Sequence, residues 1–296
     1  MDFPASDKQY FTRDIEARNL LLFLIIAFGW SWFCWGLFIF DVLTMPIGAG
    51  TSELEAGSAG VIDWIFLLLS PFGPTFSAFI VTWKSNGKMG MKRLWKRFWN
   101  RDIGYKWFSM IIIIPILVFA PAYLLFGIIE GEFTELEWMS FAAPELIIVP
   151  IIMNIFHGGS SEEFGWRGYS LPRLQAKWNA LVSSIILGII WALWHIPLWY
   201  LPPNPRQISF IVWTGKIILF SILLTWISNN TNGNILAAVL FHAMFNVASE
   251  LFPSPHLYQY IIRIPVVLII IFIFGYKTLI REQIQDQSHQ HGQERI

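Results

Sequence analysis

The sequence contains few charged residues and almost no cysteine. Asp, Glu, Lys and Arg make up 14 % of its 296 residues, whereas a soluble domain carries about 25 %. Because 55 % of the residues are hydrophobic, this shortage of solvating groups excludes an ordinary soluble domain. The one cysteine, Cys34, excludes an internal disulfide framework. The formal net charge is zero, so overall charge predicts no partner, and we expect no nucleic acid to bind.

The apolar residues form runs that are long enough to cross a bilayer. A hydrocarbon core of roughly 30 Å needs about 20 apolar residues per helix. Eight stretches meet this requirement: 19–43, 61–83, 107–129, 143–168, 179–200, 209–229, 233–252 and 257–280. The first stretch is too long for a signal peptide and has no small-residue cleavage site, so we interpret it as a span. The sequence therefore predicts an all-α, polytopic membrane protein with about eight transmembrane helices.

The distribution of charge predicts how the chain crosses the membrane. The loop 84–106 holds eight basic residues and one acidic residue, whereas the loops 44–60 and 130–142 hold six glutamates and no basic residue. Lys and Arg favour the cytoplasmic side of a membrane. We therefore expect a multi-pass protein of the cell membrane with 84–106 and both termini in the cytoplasm.

The predicted organisation has three parts. A cytoplasmic N-terminal segment covers 1–18, a transmembrane helical domain covers 19–280, and a polar, Gln-rich tail covers 281–296. No internal repeat of 20 to 50 residues interrupts the transmembrane domain. Because the domain is embedded in lipid, membrane lipid is an expected partner.

Several polar residues lie inside the predicted spans, where a charge costs about 3 kcal/mol. Lys216 and Arg263 are close to the outer ends of their spans, so we expect them to extend towards the interface and assign them no role. Three stretches have no such explanation: "EEFGWR" (162–167), "WALWH" (191–195) and "FHAMFN" (241–246). These stretches contain the candidate functional residues.

The first stretch contains two adjacent glutamates for which we expect different roles. Glu163 precedes Arg167 by four residues, which is the favourable order for an ion pair on a helix. Glu162 points about 100° away from Glu163 around the helix axis. We therefore expect Glu163 and Arg167 to support the site as a buried pair, and the carboxylate of Glu162 to remain available for chemistry.

The other two stretches add histidines and an amide. His195 ends the fifth span just before Pro197, and His242 and Asn246 are four residues apart on one helix face. A glutamate near a histidine can hold and deprotonate a water molecule. A second histidine beside an amide supplies hydrogen-bond donors for an oxyanion that forms on a peptide carbonyl. These residue types predict hydrolysis inside the membrane.

The three stretches, in this order on successive spans, resemble the motifs of a known family. "EEFGWR" resembles EExxxR, "WALWH" resembles FxxxH and "FHAMFN" resembles HxxxN of the CPBP family, the intramembrane CAAX-processing and bacteriocin-processing proteases, also called the Abi family. The resemblance covers about 140–252, which would be the core of the domain. Trp191 stands where the second motif of the family usually has Phe, a change that leaves the histidine intact.

The resemblance implies a site and a substrate class. It implies that Glu162 and His195 activate the hydrolytic water, that His242 and Asn246 form the oxyanion hole, and that no metal cofactor is needed. It also implies a conical active-site cavity formed by spans four, five and seven. The substrate would be a lipidated or membrane-bound peptide or protein, with prenylated CAAX proteins as the type known from eukaryotic members.

Two alternatives remain open from the residues themselves. Glu162, His195 and His242 would suit zinc, although no HExxH pattern puts two ligands and a base on one helix turn. A non-catalytic membrane protein, such as a bacteriocin-immunity factor, a scaffold or a transporter, would use the polar cluster only for binding. Many transporters show a repeat between their halves, which this sequence lacks.

Overall fold

The computed structural model describes residues 13–46, 59–100, 102–131, 133, 145–202 and 208–281. All regular elements in these ranges are helical, as predicted. The predicted tail from 282 onwards, the first twelve residues and most of the two acidic loops lie outside the described residues.

Eight apolar helical segments follow one another, close to the predicted spans. Their main helices are Arg13–Ile39, Val61–Leu69 continuing into Gly73–Phe98, Tyr105–Glu130, Glu145–Met153 with its extension to Gln175, Ala180–Trp194, Phe210–Asn230, Ile235–Leu251 and His256–Phe274. Five helices are long and apolar enough to cross a membrane by themselves, and the fifth and seventh segments are shorter apolar helices. The protein is an all-α, polytopic membrane protein.

The second and fifth spans end differently from the prediction. The second helix continues past residue 83 to Phe98, with a break at Gly87, whose φ of 57° is accessible mainly to glycine. The fifth helix ends at Trp194, and a short 3-10 turn, Ile196–Trp199, follows it. His195 is the residue between them and therefore lies at the junction of the helix and the turn.

Successive helices run in opposite directions, and hydrogen bonds identify the segments that meet at each end of the bundle. At the end that carries the basic loop, Arg97 Nε donates to the carbonyl of Gly233 at 3.0 Å, and the amide of Ala180 donates to the carbonyl of Lys277 at 2.8 Å. We call this the basic end. At the opposite end, Lys216 Nζ lies 3.0 Å from His256 Nδ1.

Span four is irregular around the two glutamates. Two π-helical segments, Asn154–Ser160 and Phe164–Ser170, flank the short α-helical segment Ser161–Glu163. Such wide turns are rare and are frequent at functional sites. They rotate successive side chains differently from an α-helix, which changes the directions in which the two glutamates point.

Glycines let span four approach its neighbours closely on both sides of the glutamates. A Cβ atom on Gly159 would lie 2.6 Å from the carbonyl oxygen of Val239, and one on Gly165 would lie 2.5 Å from Cβ of Pro74. Small residues permit this backbone approach between membrane helices. The carboxylates of span four are thereby held against spans two and seven.

Candidate active site

Glu163 is the centre of a buried polar cluster. Its Oε1 accepts a hydrogen bond from Arg167 Nη1 at 3.1 Å, which is the ion pair predicted from the sequence. The same oxygen shares a hydrogen bond with His242 Nδ1 at 2.7 Å. All three side chains are buried. Glu163 therefore connects the first and third motifs and orients the ring of His242, a contact that the sequence spacing did not reveal.

Glu162 is held by two tryptophans. Its Oε2 accepts hydrogen bonds from Trp166 Nε1 at 3.1 Å and from Trp191 Nε1 at 2.5 Å. Among the described residues, Oε1 of Glu162 has no protein partner, and the side chain lines the cavity described below. One carboxylate oxygen is thus fixed by the protein, and the other is available to a water molecule or a substrate.

His195 is oriented by its own helix. Its Nδ1 lies 2.8 Å from the carbonyl oxygen of Trp191, and because a carbonyl only accepts, Nδ1 carries the proton of this bond. A neutral His195 therefore has its lone pair on Nε2. The ring packs edge-on against Trp194 at 4.7 Å between centroids. Trp191 thus serves both candidate groups: its indole holds Glu162 and its carbonyl orients His195.

His242 and Asn246 converge on one point above Gly158. A Cβ atom on Gly158 would lie 3.1 Å from Asn246 Nδ2 and 3.5 Å from His242 Nε2. Two nitrogen atoms therefore face one small space, which exists because residue 158 has no side chain. For Nε2 to donate, His242 must be doubly protonated, or the proton shared with Glu163 must be on the carboxylate.

The four predicted catalytic residues Glu162, His195, His242 and Asn246 line a single cavity of about 660 Å³. This volume lies in the range of small-molecule and peptide sites. Spans four, five and seven contribute to it, as expected, but so do residues of the other five spans, such as Trp35, Leu67, Phe119, Lys216 and Arg263.

The cavity lies in the half of the bundle that is farther from the basic loop. Its lining includes Leu198, Leu201 and Ile208 from the connection between spans five and six, and His256 at the first turn of span eight. These segments belong to the end opposite the basic end. The cavity therefore extends from the buried glutamates towards the acidic-loop side.

Arg263 does not extend towards the interface, contrary to the expectation from the sequence. It is 3 % exposed and lines the cavity. Its Cζ lies 4.7 Å from the ring centroid of Phe245 and 5.2 Å from that of Phe119. The sequence position near a span end was misleading because aromatic rings of neighbouring helices cover the side chain.

The zinc alternative requires three ligands close together. Across the described ranges, no group of three or more His, Cys, Asp or Glu side chains is arranged so that it could hold a metal ion. Glu162 and His242 instead have their nearest protein contacts with indole and carboxylate groups, respectively.

Two comparisons with known proteins found matches to this chain. Residues 144–248, which carry all four predicted catalytic residues, match the family described as "Type II CAAX prenyl endopeptidase Rce1-like". The chain extends beyond this match on both sides. It is similar to a protein named "CAAX prenyl protease 2" from Methanococcus maripaludis, with 27 % identity over 185 residues, which are 58 % of this chain and 68 % of the relative.

A second relative carries a different kind of name. It is "Lysostaphin resistance protein A" from Staphylococcus haemolyticus, 26 % identical over 227 residues. The alignment covers 74 % of this chain and 58 % of the relative. In this chain, hydrogen bonds join the first of the three stretches to each of the other two.

Trp166, Trp191 and Gly158 are the parts of this arrangement to which sequence reasoning assigned no role. Trp166 follows Glu162 by four residues, so a helix-surface search for neutral donors would have found it. The sequence drew attention to Trp191 only because the second family motif usually has Phe at this position. Nothing in the sequence indicated that Gly158 lies beneath His242 and Asn246.

Proposed function

We propose that this protein is a member of the CAAX protease family and an intramembrane endopeptidase that hydrolyses a peptide bond of a membrane-associated substrate. The observation that carries the proposal is the shared cavity, in which a partly free carboxylate and an oriented histidine accompany two converging nitrogen atoms. A lipidated peptide, including one of the prenylated CAAX type, is the proposed substrate class.

The proposed reaction uses a water molecule as the nucleophile. Oε1 of Glu162 accepts a proton from this water while Nε2 of His195 helps to position it. The oxygen attacks the peptide carbonyl, and the negative charge on the former carbonyl oxygen is stabilised by hydrogen bonds from His242 Nε2 and Asn246 Nδ2. The tetrahedral intermediate then collapses, the C–N bond breaks, and the proton taken up by Glu162 passes to the leaving amine. These reaction steps balance in atoms and charge without a redox step or a bound cofactor. We therefore propose metal-independent hydrolysis.

The proposed orientation assigns a side of the membrane to the cavity. With the basic loop and both termini in the cytoplasm, a cavity in the opposite half of the bundle is reached from the extracytoplasmic side. Substrates would then be exported or membrane-inserted peptides that approach the acidic-loop end.

Cleavage by purified protein tests the proposal. A palmitoylated peptide labelled at both ends is incubated with the wild type and with Glu162→Gln, with and without chelator. We expect Glu162→Gln to reduce cleavage by about 100-fold or more, the scale for loss of a general base, while the melting temperature is retained. Glu250→Gln is the control, because Glu250 lines the same cavity and contacts Asn154 Nδ2 at 3.3 Å.

The outcomes separate the proposal from both alternatives. Cleavage that chelator abolishes and added zinc restores would indicate a zinc peptidase. Full activity of Glu162→Gln would show that the proposed base is wrong. A stable wild type that cleaves no membrane-anchored peptide would favour a non-catalytic role.

A further inference from the structure

Arg263 is a buried cation without a counter-ion. Its guanidinium Nε has no hydrogen-bond partner, and its Nη1 reaches only the carbonyl of Lys216, at 3.5 Å. In the part of the chain that the structure describes, no carboxylate forms an ion pair with it. Glu250, which lines the same cavity, contacts Asn154 instead. A buried charge that lacks a partner is strongly unfavourable, so this one calls for an explanation.

Two further arginines inside the bundle have partners, although Nε and Nη2 of the buried Arg167 also lack a hydrogen bond. Arg167 pairs with Glu163, and Arg97 donates hydrogen bonds to three backbone carbonyls, among them that of Gly168 at 2.7 Å. Arg97 thereby connects span two to span four and to the turn before span seven. Among the described residues, Arg263 has only the 3.5 Å hydrogen-bond contact with the carbonyl of Lys216, and it lines the cavity that holds the predicted catalytic residues.

The surroundings of Arg263 are suited to an anionic group. The guanidinium packs against the rings of Phe245 and Phe119, which fix its plane and exclude water from one side. Lys216 and His256, whose side-chain nitrogens are 3.0 Å apart, line the same part of the cavity. A planar guanidinium with available N–H groups binds a carboxylate through two parallel hydrogen bonds.

Aromatic rings connect Arg263 to the oxyanion site and limit the distance between them. The guanidinium lies 4.7 Å from Phe245, Phe245 stacks on Phe220 at 4.2 Å, and Phe220 lies 5.2 Å from the ring of His242. The guanidinium is therefore no more than about 14 Å from His242, a separation that about four extended residues can span.

We propose that Arg263 binds the free C-terminal carboxylate of the substrate and so sets the position of cleavage. This inference rests on the proposed peptidase function. With the carboxylate at Arg263 and the scissile carbonyl at His242 and Asn246, the enzyme removes a short C-terminal fragment, and about four extended residues are enough to span the two points. Peptides without a free C-terminus, and bonds far from it, are poor substrates.

Binding and cleavage are measured separately. A palmitoylated fluorescent hexapeptide is prepared with a free C-terminal carboxylate, as its C-terminal amide, and as an amide whose last residue is glutamate. Binding is measured in the Glu162→Gln background, which does not turn over, with Arg263 intact, Arg263→Gln or Arg263→Lys. The third peptide distinguishes a terminal carboxylate from an acidic side chain.

We expect the acid to bind about 10- to 100-fold more tightly than either amide, the range for a hydrogen-bonded charge. Arg263→Gln should weaken binding of the acid to the level of the amide and leave amide binding unchanged. Arg263→Lys should restore part of the preference, because it keeps the charge but not the planar fork. A preference that persists in Arg263→Gln, or equal weakening of acid and amide, would overturn the assignment.

The same peptides distinguish failure of this inference from failure of the proposed function. If the wild type cleaves acid and amide equally, the peptidase proposal stands and the role of Arg263 is wrong. If acid binding depends on Arg263 but no peptide is cleaved, the carboxylate site stands and the peptidase proposal fails. A structural role is tested by the melting temperature without peptide, which Arg263→Gln should retain or raise because it removes an unpaired buried charge. A marked decrease would contradict the proposal.

Discussion

The indole of Trp191 is expected to contribute directly to the reaction by holding Glu162. Trp191→Phe keeps an aromatic ring that can pack against the guanidinium of Arg167, now 4.6 Å from the indole ring, but removes the N–H group. The backbone carbonyl that orients His195 is unchanged. The substitution therefore isolates one hydrogen bond, the 2.5 Å contact from Nε1 to Oε2 of Glu162.

The expected magnitude follows from that hydrogen bond. A hydrogen bond to an ionised group contributes about 1.5–3 kcal/mol, and each 1.36 kcal/mol corresponds to about tenfold in rate. Because Trp166 donates to the same oxygen and remains in place, we expect a loss near the lower limit, about 10-fold in kcat. Such a moderate effect also agrees with the Phe that the family motif usually has at this position.

Trp194→Phe is the appropriate control. Trp194 lies on the same helix and is equally buried, and its Nε1 has no hydrogen-bond partner in the described structure. Both substitutions remove the same volume from the core, so their melting temperatures should decrease by similar amounts. The assay is cleavage of the anchored peptide at saturating substrate. If the two variants lose activity equally, the reasoning about the indole of Trp191 is refuted.

Three further predictions concern the rest of the site and the topology. Glu163→Gln should lower the melting temperature, since it leaves Arg167 as an uncompensated buried charge that costs about 3–5 kcal/mol; a variant of normal stability would contradict this. Gly158→Ala should reduce cleavage at normal stability, because its Cβ would fill the space before the two nitrogen atoms, whereas Gly29→Ala, which meets no atom within 4 Å, should be neutral. A cysteine at the exposed position Ser85, in a background without the native cysteine, should resist an impermeant thiol reagent in intact cells; labelling from outside would reverse the proposed orientation.

Much of the fold could be predicted because its causes are local. Each span is recognisable from its own run of apolar side chains, since the bilayer requires a certain length and hydrophobicity from every helix independently. The ion pair between Glu163 and Arg167 was predictable for the same reason, because four residues on one helix fix the geometry. The second span was less predictable, since its helix continues beyond the apolar run through a break at Gly87.

The sequence by itself determined the membrane-spanning architecture and the charge asymmetry of the loops. It also determined which polar residues lie within the spans. Only the tertiary structure decided which of those residues share a cavity and which atoms they present. Glu163 contacts His242 across 79 positions of the chain, and Trp191 contacts Glu162 across 29. Such contacts depend on how helices rotate and approach one another, which packing and the π-helical turns of span four set. Arg263 illustrates the same dependence. The sequence predicted an interfacial residue, whereas the structure shows a buried cation, because neighbouring helices supply the rings that cover it.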